Sequence, residues 1–374
     1  MAKRIFILVV AFSLVFIFPP PSHASPQPLF GPQKHIRTTG PPNTYIDTFQ
    51  ACNTGATYNL VLENGETGKD KISSGSIKLN STEIVQEKDF NQNVSRIERT
   101  ITLQKENTLN IKLASGPNGF IKISIYCKTG CLELKINSPT SGTTINKTKT
   151  IIKGNLTNVY GETGVTLQGA GVMGQGSVLA ETQGNNFAGI IPLQQGTNTI
   201  TATAADACGY KTTDTITINT ETIQENIRLT AIPVQGQYQQ TGLYFPKITI
   251  TDTKGNTYTE TTIVNVLSKE EMDSLLKNKW EGMKGGLVSN NAERAIAYLS
   301  EGSKEKYREI FNLLNNELSS IAAEMQEIEL LYIIGNTAKY RIKRNQIIND
   351  QPETITYYIY FMRDENGLWK IVSF

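Results

Sequence analysis

The sequence predicts a multidomain chain in which all-β sandwiches precede a C-terminal α+β domain, and two features of its hydrophobic pattern carry that reading. Within residues 197–219, TNTITATAADACGYKTTDTITIN, Ile200, Ala202 and Ala204 alternate with Thr199, Thr201 and Thr203, the period of two that sets one face on a core and the other in water. A second alternating run over 213–218 follows a tight turn at 206–209, so the two form a hairpin, and similar short strands separated by turn signals fill residues 132–220. At Ser268 the period changes to 3.6, then returns to strands near residue 328. A chain of 374 residues suggests two to four such units.

Taken in order, Lys3 and Arg4 precede an apolar run from Ile5 to Phe18, which reads as a signal peptide over residues 1–24 with cleavage after Ala24. The rival reading, an uncleaved anchor, meets a run that is short for a membrane span. No other apolar run could cross a bilayer, so no membrane span is expected in the mature chain. Residues 25–41 are Pro-rich and without period, and read as an arm or tether. Strands are expected at 45–49, 56–62, 76–79, 100–103, 108–113 and 120–126, which makes 42–127 a β-sandwich. The stretch 226–267 carries strands at 227–233, 243–251 and 258–266, too few for a full sandwich, so it should lean on a neighbour.

Ser268 with Glu271 forms a capping box, after which Met272, Leu275, Leu276, Trp280 and Met283 share one helical face until Gly285 and Gly286 end the helix. A short helix over 291–299 and a third from Ser303 follow. Strands then close the chain at 328–334, 338–347, 354–363 and 368–374.

Several resemblances sharpen this outline. Residues 131–220 resemble a bacterial Ig-like domain through Pro139, Gly142, Ile145, Ile152, Gly154, Leu156, Gly196, Asn198, Ile200, Asp206, Gly209 and Asp214. Phe30-Gly31-Pro32, residues 37–43 and residues 89–92 resemble an N-terminal sandwich module of large exported bacterial proteins. Gly242, Tyr244, Pro246, Thr249, Thr251, Asp252, Gly255 and Asn256 resemble the last two strands of a PKD-type module, here truncated. Residues 268–374 resemble the NTF2-like (cystatin-like cone) superfamily in the order of their elements and in the ending YYIYFMRDENGLWKIVSF. The fold class implied is all-β Ig-like sandwiches followed by a C-terminal α+β NTF2-like domain.

Export gives meaning to the four cysteines, Cys52, Cys127, Cys131 and Cys208, which allow three pairings. The topology implied by the Ig-like resemblance sets Cys131, ahead of the first strand, beside Cys208 in the last hairpin, and by the same logic Cys52 beside Cys127. The expected bridges are therefore Cys52–Cys127 and Cys131–Cys208, against free thiols or a small Cys127/Cys131 loop. A metal site is not expected, because no His or further Cys stands near the CxxxC spacing.

Chemistry is sparse. Of two His, His23 leaves with the signal and His35 sits in the arm without a core, which leaves no imidazole for nucleophilic catalysis. No phosphate-loop, dinucleotide, zinc-protease or serine-elbow string occurs, so no cofactor and no catalytic residue are expected. The Gly-rich 169–174 segment has no helix after it and reads as a loop. Asp206, Asp214 and Asp252 fall at turns, where Asp caps its own backbone. Trp280 and Trp369 fall on core-facing periods. In the C-terminal domain Lys339, Arg341 and Lys343 share a strand face and, with Arg344 and Arg363, could hold an anion, although a solvated outer face is the commoner outcome. Tyr357, Tyr358 and Tyr360 could line a cone pocket or simply pack in a core. The weak ligand-binding set is Tyr340, Arg341, Tyr358, Tyr360 and Arg363. With 36 Lys+Arg against 34 Asp+Glu, no footprint for nucleic acid is expected. The expected role is that of an exported, non-catalytic modular protein with a protein or cell-envelope partner. The alternative is a small-ligand or weakly catalytic pocket in the C-terminal domain.

Overall fold

Eight strands build the first sandwich: β1 (Phe30–Ile36), β2 (Asn43–Gln50), β3 (Thr57–Asn64), β4 (Ser74–Leu79), β5 (Thr82–Val85), β6 (Arg96–Ile101), β7 (Glu106–Ser115) and β8 (Phe120–Thr129). The computed structural model describes residues 27–374 apart from 67–69, 170, 173–176, 222–237, 252, 315–316 and 349–350. The expected signal peptide with His23, the start of the arm, the strand expected at 227–233, part of the 169–174 loop and Asp252 lie outside the described residues.

Two sheets, in the orders β1-β8-β3-β6 and β2-β7-β4-β5, face each other across Leu60, Leu62, Ile111 and Ile123, all fully buried. The segment expected to be an arm is corrected here, because residues 30–36 are an edge strand hydrogen-bonded to β8. Pro32 is tolerated there since an edge strand has one unpaired side. His35, expected in a coreless arm, is buried on this strand, with Nε2 2.9 Å from Asp47 Oδ2.

The second sandwich holds β9 (Glu133–Ser138), β10 (Thr143–Thr144), β11 (Lys149–Thr157), β12 (Thr163–Gly169), β13 (Val178–Gln183), β14 (Asn186–Pro192), β15 (Gly196–Asp206) and β16 (Lys211–Thr220). They follow one another as a single sheet, β10-β16-β15-β12-β13-β14-β11-β9, folded over Ile152, Val165, Leu167, Ile200 and Ile218. The 197–219 hairpin pairs as its alternation requires, Ile200 opposite Ile216 and Ala202 opposite Asp214. Asp214 Oδ2 accepts from the Ile136 N–H at 2.8 Å and so ties β9 to the far strand.

A broken hairpin follows, with β17 (Gly242–Tyr244) paired to β20 (Val264–Val266) and β18 (Lys247–Thr251) paired to β19 (Thr257–Thr261). Each fully buried aliphatic side chain contributes roughly 1.5–3 kcal/mol, which sustains the sandwiches, but none of the described residues of this hairpin is fully buried. It rests on the second sandwich through Asn265 Nδ2, which donates to Glu181 Oε2 at 3.0 Å, and through Lys149 to Glu260 at 3.1 Å.

The C-terminal unit begins with α1 (Lys269–Val288), α2 (Ala292–Ile296), α3 (Glu301–Leu313) and α4 (Leu318–Glu324) and ends with β21 (Glu329–Ile334), β22 (Thr337–Ile348), β23 (Gln351–Arg363) and β24 (Trp369–Ser373) in sequential antiparallel order. Ser268 Oγ accepts from the Glu271 N–H at 3.1 Å and caps α1, while the reciprocal bond to the Glu271 side chain that the expected capping box requires is not among the hydrogen bonds of the described residues. Gly285 and Gly286 do not end α1, which runs to Val288. A Cβ on Gly286 would come within 2.6 Å of the Ala295 nitrogen, so this glycine admits α2 rather than stopping the helix. Trp280, Phe311, Tyr340, Phe361 and Trp369 fill the space between helices and sheet.

The disulfides are Cys52–Cys208 and Cys127–Cys131, which overturns the expected pairing. All four cysteines do gather where the two sandwiches meet. There the Gly130 turn, with φ at +76°, brings Cys131 back to Cys127 at a Cα separation of 5.9 Å, so the local pair forms and Cys52 is left to Cys208 across the junction. The expectation treated each sandwich by itself and missed a bridge between them. Closing a 156-residue separation removes chain entropy worth about 5 kcal/mol. Proteolysis under non-reducing conditions should release a peptide pair joining Cys52 to Cys208, and Cys52→Ser should lower Tm; a Cys52–Cys127 peptide would contradict the fold described.

Candidate functional site

The strand alternation of β22 and β23 divides the residues singled out in the C-terminal domain between two faces. Tyr340 is fully buried and points its hydroxyl at Asp273 Oδ1, 2.9 Å away, and burial first, then this carboxylate, pushes its phenol well above the ordinary tyrosine value. It belongs to the core, not to a ligand set. Arg363 also leaves the set. Its side chain is only 7% exposed and faces Glu181 of the second sandwich, with Nη1 at 3.4 Å from Oε2.

The other three do converge. Cross-strand register sets Arg341 opposite Tyr358 and Lys339 opposite Tyr360, with Tyr332 of β21 opposite Lys339 on the other side. This is the face turned away from the helices. Tyr332, Tyr358, Tyr360 and Met362 are 43, 45, 38 and 47% exposed on it, and Tyr357 is 43% exposed as well, so the expectation that the tyrosines pack in a core fails for Tyr357, Tyr358 and Tyr360. Lys339 Nζ stands 3.9 Å above the Tyr358 ring, and its bond with Tyr360 holds the ammonium above the usual lysine range. Arg341 is spent on Glu329, which it grips with Nε at 2.8 Å and Nη2 at 2.7 Å. Of the expected anion set, Arg341, Arg344 and Arg363 each face a carboxylate, with Arg344 Nη2 3.8 Å from Glu324 Oε2, while Lys343 is exposed and Lys339 stands over Tyr358; the set is not gathered into one site, but an aromatic surface centred on Lys339 is.

A second convergence was invisible in the sequence. Glu162, just before β12, is 9% exposed; Lys279 Nζ of α1 lies 2.5 Å from its Oε2, and the Trp369 N–H donates to its Oε1 at 2.7 Å. The lysine contact is an ion pair rather than an aligned hydrogen bond, so Oε2 has no hydrogen-bond donor among the described residues. Beside it, Lys211 Nζ donates to Asn366 Oδ1 at 2.8 Å, and Gly164 lies so close to Asn366 and Gly367 that no side chain fits. Nothing in the spacing of a lone Glu and a helical Lys over a hundred residues apart could have signalled this pair.

The same end of the second sandwich carries Asp206, whose Oδ1 accepts from the Cys208 and Tyr210 N–H groups at 2.9 Å each, the turn capping its position implied. Burial raises its carboxyl above the ordinary aspartate value, partly offset by those backbone donors. Its charge, after desolvation, helps push the Tyr58 phenol of the first sandwich up to about 12. Among the described residues, Cys52, Asp206 and Cys208 place three ligand-type atoms within 4.8 Å of one another, but both sulfurs are bonded to each other. No helix of the described residues is long and apolar enough to cross a membrane.

No protein-family model matches the chain, and no curated protein matches it. Among solved structures, the fibronectin(III)-like modules of Clostridium thermocellum CbhA share 16% identity over 46% of this chain and 95% of theirs, with a TM-score of 0.22. A family 2 glycosyl hydrolase of Bacteroides cellulosilyticus shares 13% over 54% of this chain, at a TM-score of 0.19. A β-1,2-glucanase of Parabacteroides distasonis shares 9% over 77%, at 0.21. The chain spans 30% and 43% of those two enzymes. Likenesses at these scores carry no argument about what this chain does.

A raised carboxyl is a proton held more tightly in the folded than in the unfolded chain. Its contribution to stability is complete below the ordinary aspartate value and is lost as pH rises through the higher folded value. Asp206→Asn, which keeps an acceptor for both N–H groups, should therefore match the parent in thermal melts near pH 3 and exceed it by a few degrees at neutral pH. A parent that is the more stable at neutral pH would contradict this account of Asp206.

Proposed function

We propose that this chain is an exported, non-catalytic modular protein whose sandwiches carry a C-terminal NTF2-like domain and hold it against a cell-envelope partner. The observation that carries the reading is the outer face of β21–β23, where Tyr332, Tyr358, Tyr360, Ile334 and Met362 are exposed together around Lys339. Large apolar side chains gathered on one solvent face mark an interaction surface rather than ordinary surface scatter. The face turned towards the helices supports the same reading. Trp280, Phe311, Tyr340 and Phe361 occupy the space a cone pocket would need, which weighs against the small-ligand alternative. Helices followed by an antiparallel meander support the NTF2-like assignment, and the short hairpin of β17–β20 supports a shortened PKD-like module. Two disulfides fit an oxidising compartment, as an exported protein meets.

The test uses the double variant Tyr358→Ser/Tyr360→Ser, whose positions lie outside the core. The parent protein should co-sediment with the cell-envelope fraction of its source organism, and the variant should stay in the supernatant with an unchanged Tm. Equal sedimentation of both would overturn the reading.

A further inference from the structure

A groove of about 480 Å³ runs between the broken hairpin and the C-terminal sheet, with Glu181 and Arg363 at the contact between the second sandwich and that sheet. Its two long sides are built differently. On one, Ile263, Asn265 and Leu267 line it at every second residue, so strand β20 and its flanks offer one row of side chains. On the other, four consecutive residues, 330 to 333, line it. Successive side chains of a strand point to opposite faces, so four in a row can border one groove only if the strand presents its edge. Among the described residues β21 is the end strand of its sheet, paired to β22 alone, and Leu331 is bulged out of that ladder.

Edge strands carry unpaired N–H and C=O groups, and proteins usually guard them with charge, proline or a covering element. Here Leu331, Tyr332 and Ile334 stand exposed on β21, and the one charged residue of that strand, Glu329, is paired with Arg341. The charges of the groove are unequal. Glu181 faces both Arg363 and Asn265, while Lys269 is exposed and has no ion-pair partner among the described residues. Ser268 and Lys269, which also line the groove, open the 20-residue helix α1, whose N-terminal end adds positive potential. Of that first turn, Glu270 Oε2 accepts from the Ser268 hydroxyl at 3.3 Å, and neither Glu270 nor Glu271 lines the groove.

We propose that this groove receives an extended, acidic peptide segment of another protein, which adds to the edge of β21 as a fifth strand. The ladder comes from the main chain of the peptide, alternate apolar side chains settle on Ile263, Leu267 and Met272, and an acidic group meets Lys269. At about 3.3 Å per residue, the four lining positions of β21 match a peptide stretch of some four residues. The proposal goes beyond the outer-face reading and does not depend on Tyr358 or Tyr360.

The test titrates the oxidised full chain with a library of fluorescent, end-blocked hexapeptides that alternate Val or Ile with Thr and carry one terminal Glu. Hydrogen exchange then locates the bound peptide. Expected are saturable binding, slowed exchange confined to residues 329–334, loss of binding when alternate peptide amides are N-methylated, and about fivefold weakening by Lys269→Glu at low salt. The variant Tyr358→Ser/Tyr360→Ser should bind the peptide as the parent does, which separates failure of this proposal from failure of the outer-face reading. Absence of binding across the library up to millimolar concentration would overturn the proposal. So would undiminished binding of N-methylated peptides, or protection that falls elsewhere.

Discussion

Glu162 is a carboxylate withdrawn from water whose partners, Lys279 and the Trp369 N–H, both belong to the C-terminal domain. A buried ion left alone costs several kcal/mol, so the second sandwich and the C-terminal domain are bound to meet at this point. The loop that carries Glu162 is tied to the 206–210 turn, since the Ala207 N–H donates to the Glu162 carbonyl at 3.2 Å and Thr163 pairs with Asp206. That turn also carries Cys208, which is bonded to Cys52 of the first sandwich. One end of the second sandwich thus holds its neighbour on either side, covalently on one and through a desolvated ion pair on the other. Arg294 of α2 reaches Glu106 of the first sandwich at 2.9 Å, so the outer two units also touch.

This arrangement explains the placement of the exposed surfaces. The helices of the C-terminal domain cover one face of its sheet, and the second sandwich takes up Arg363 and Trp369 near the β23–β24 turn. What stays free among the described residues is the outer face of β21–β23 and the edge of β21. A module on a loose linker could turn either surface inward; the C-terminal domain is instead held to the second sandwich at Glu162 and Glu181 and to the first at Glu106. These contacts set which faces of the C-terminal sheet point to solvent.

Much of the fold was legible from local pattern. The 197–219 alternation, the Ser268 cap and the four closing strands each rest on contacts a few residues apart, and each lies where the spacing places it. Strand β1 escaped because an edge strand with Pro32 and one buried side chain, His35, shows no alternation. Gly286 read as a stop because its reason for being Gly, the approach of Ala295, belongs to another helix. The cysteines were placed at the right end of each sandwich but paired wrongly, since pairing depends on how two domains meet. Tyr358 and Tyr360 were named, but period two alone does not say which face of a strand is the core face, and Tyr340 was grouped with them from across the sheet.

The claim on which the account rests is that the modules form one fixed body, held by the Glu162–Lys279 pair and the Cys52–Cys208 bridge. Electron spin distance measurement, with labels introduced as non-cysteine amino acids at exposed Lys78 of the first sandwich and exposed Glu309 of α3, tests it most directly. The account predicts a single narrow distance distribution in the oxidised protein that broadens when Lys279→Ala is combined with reduction. A broad or multiple distribution in the intact, oxidised protein would contradict it.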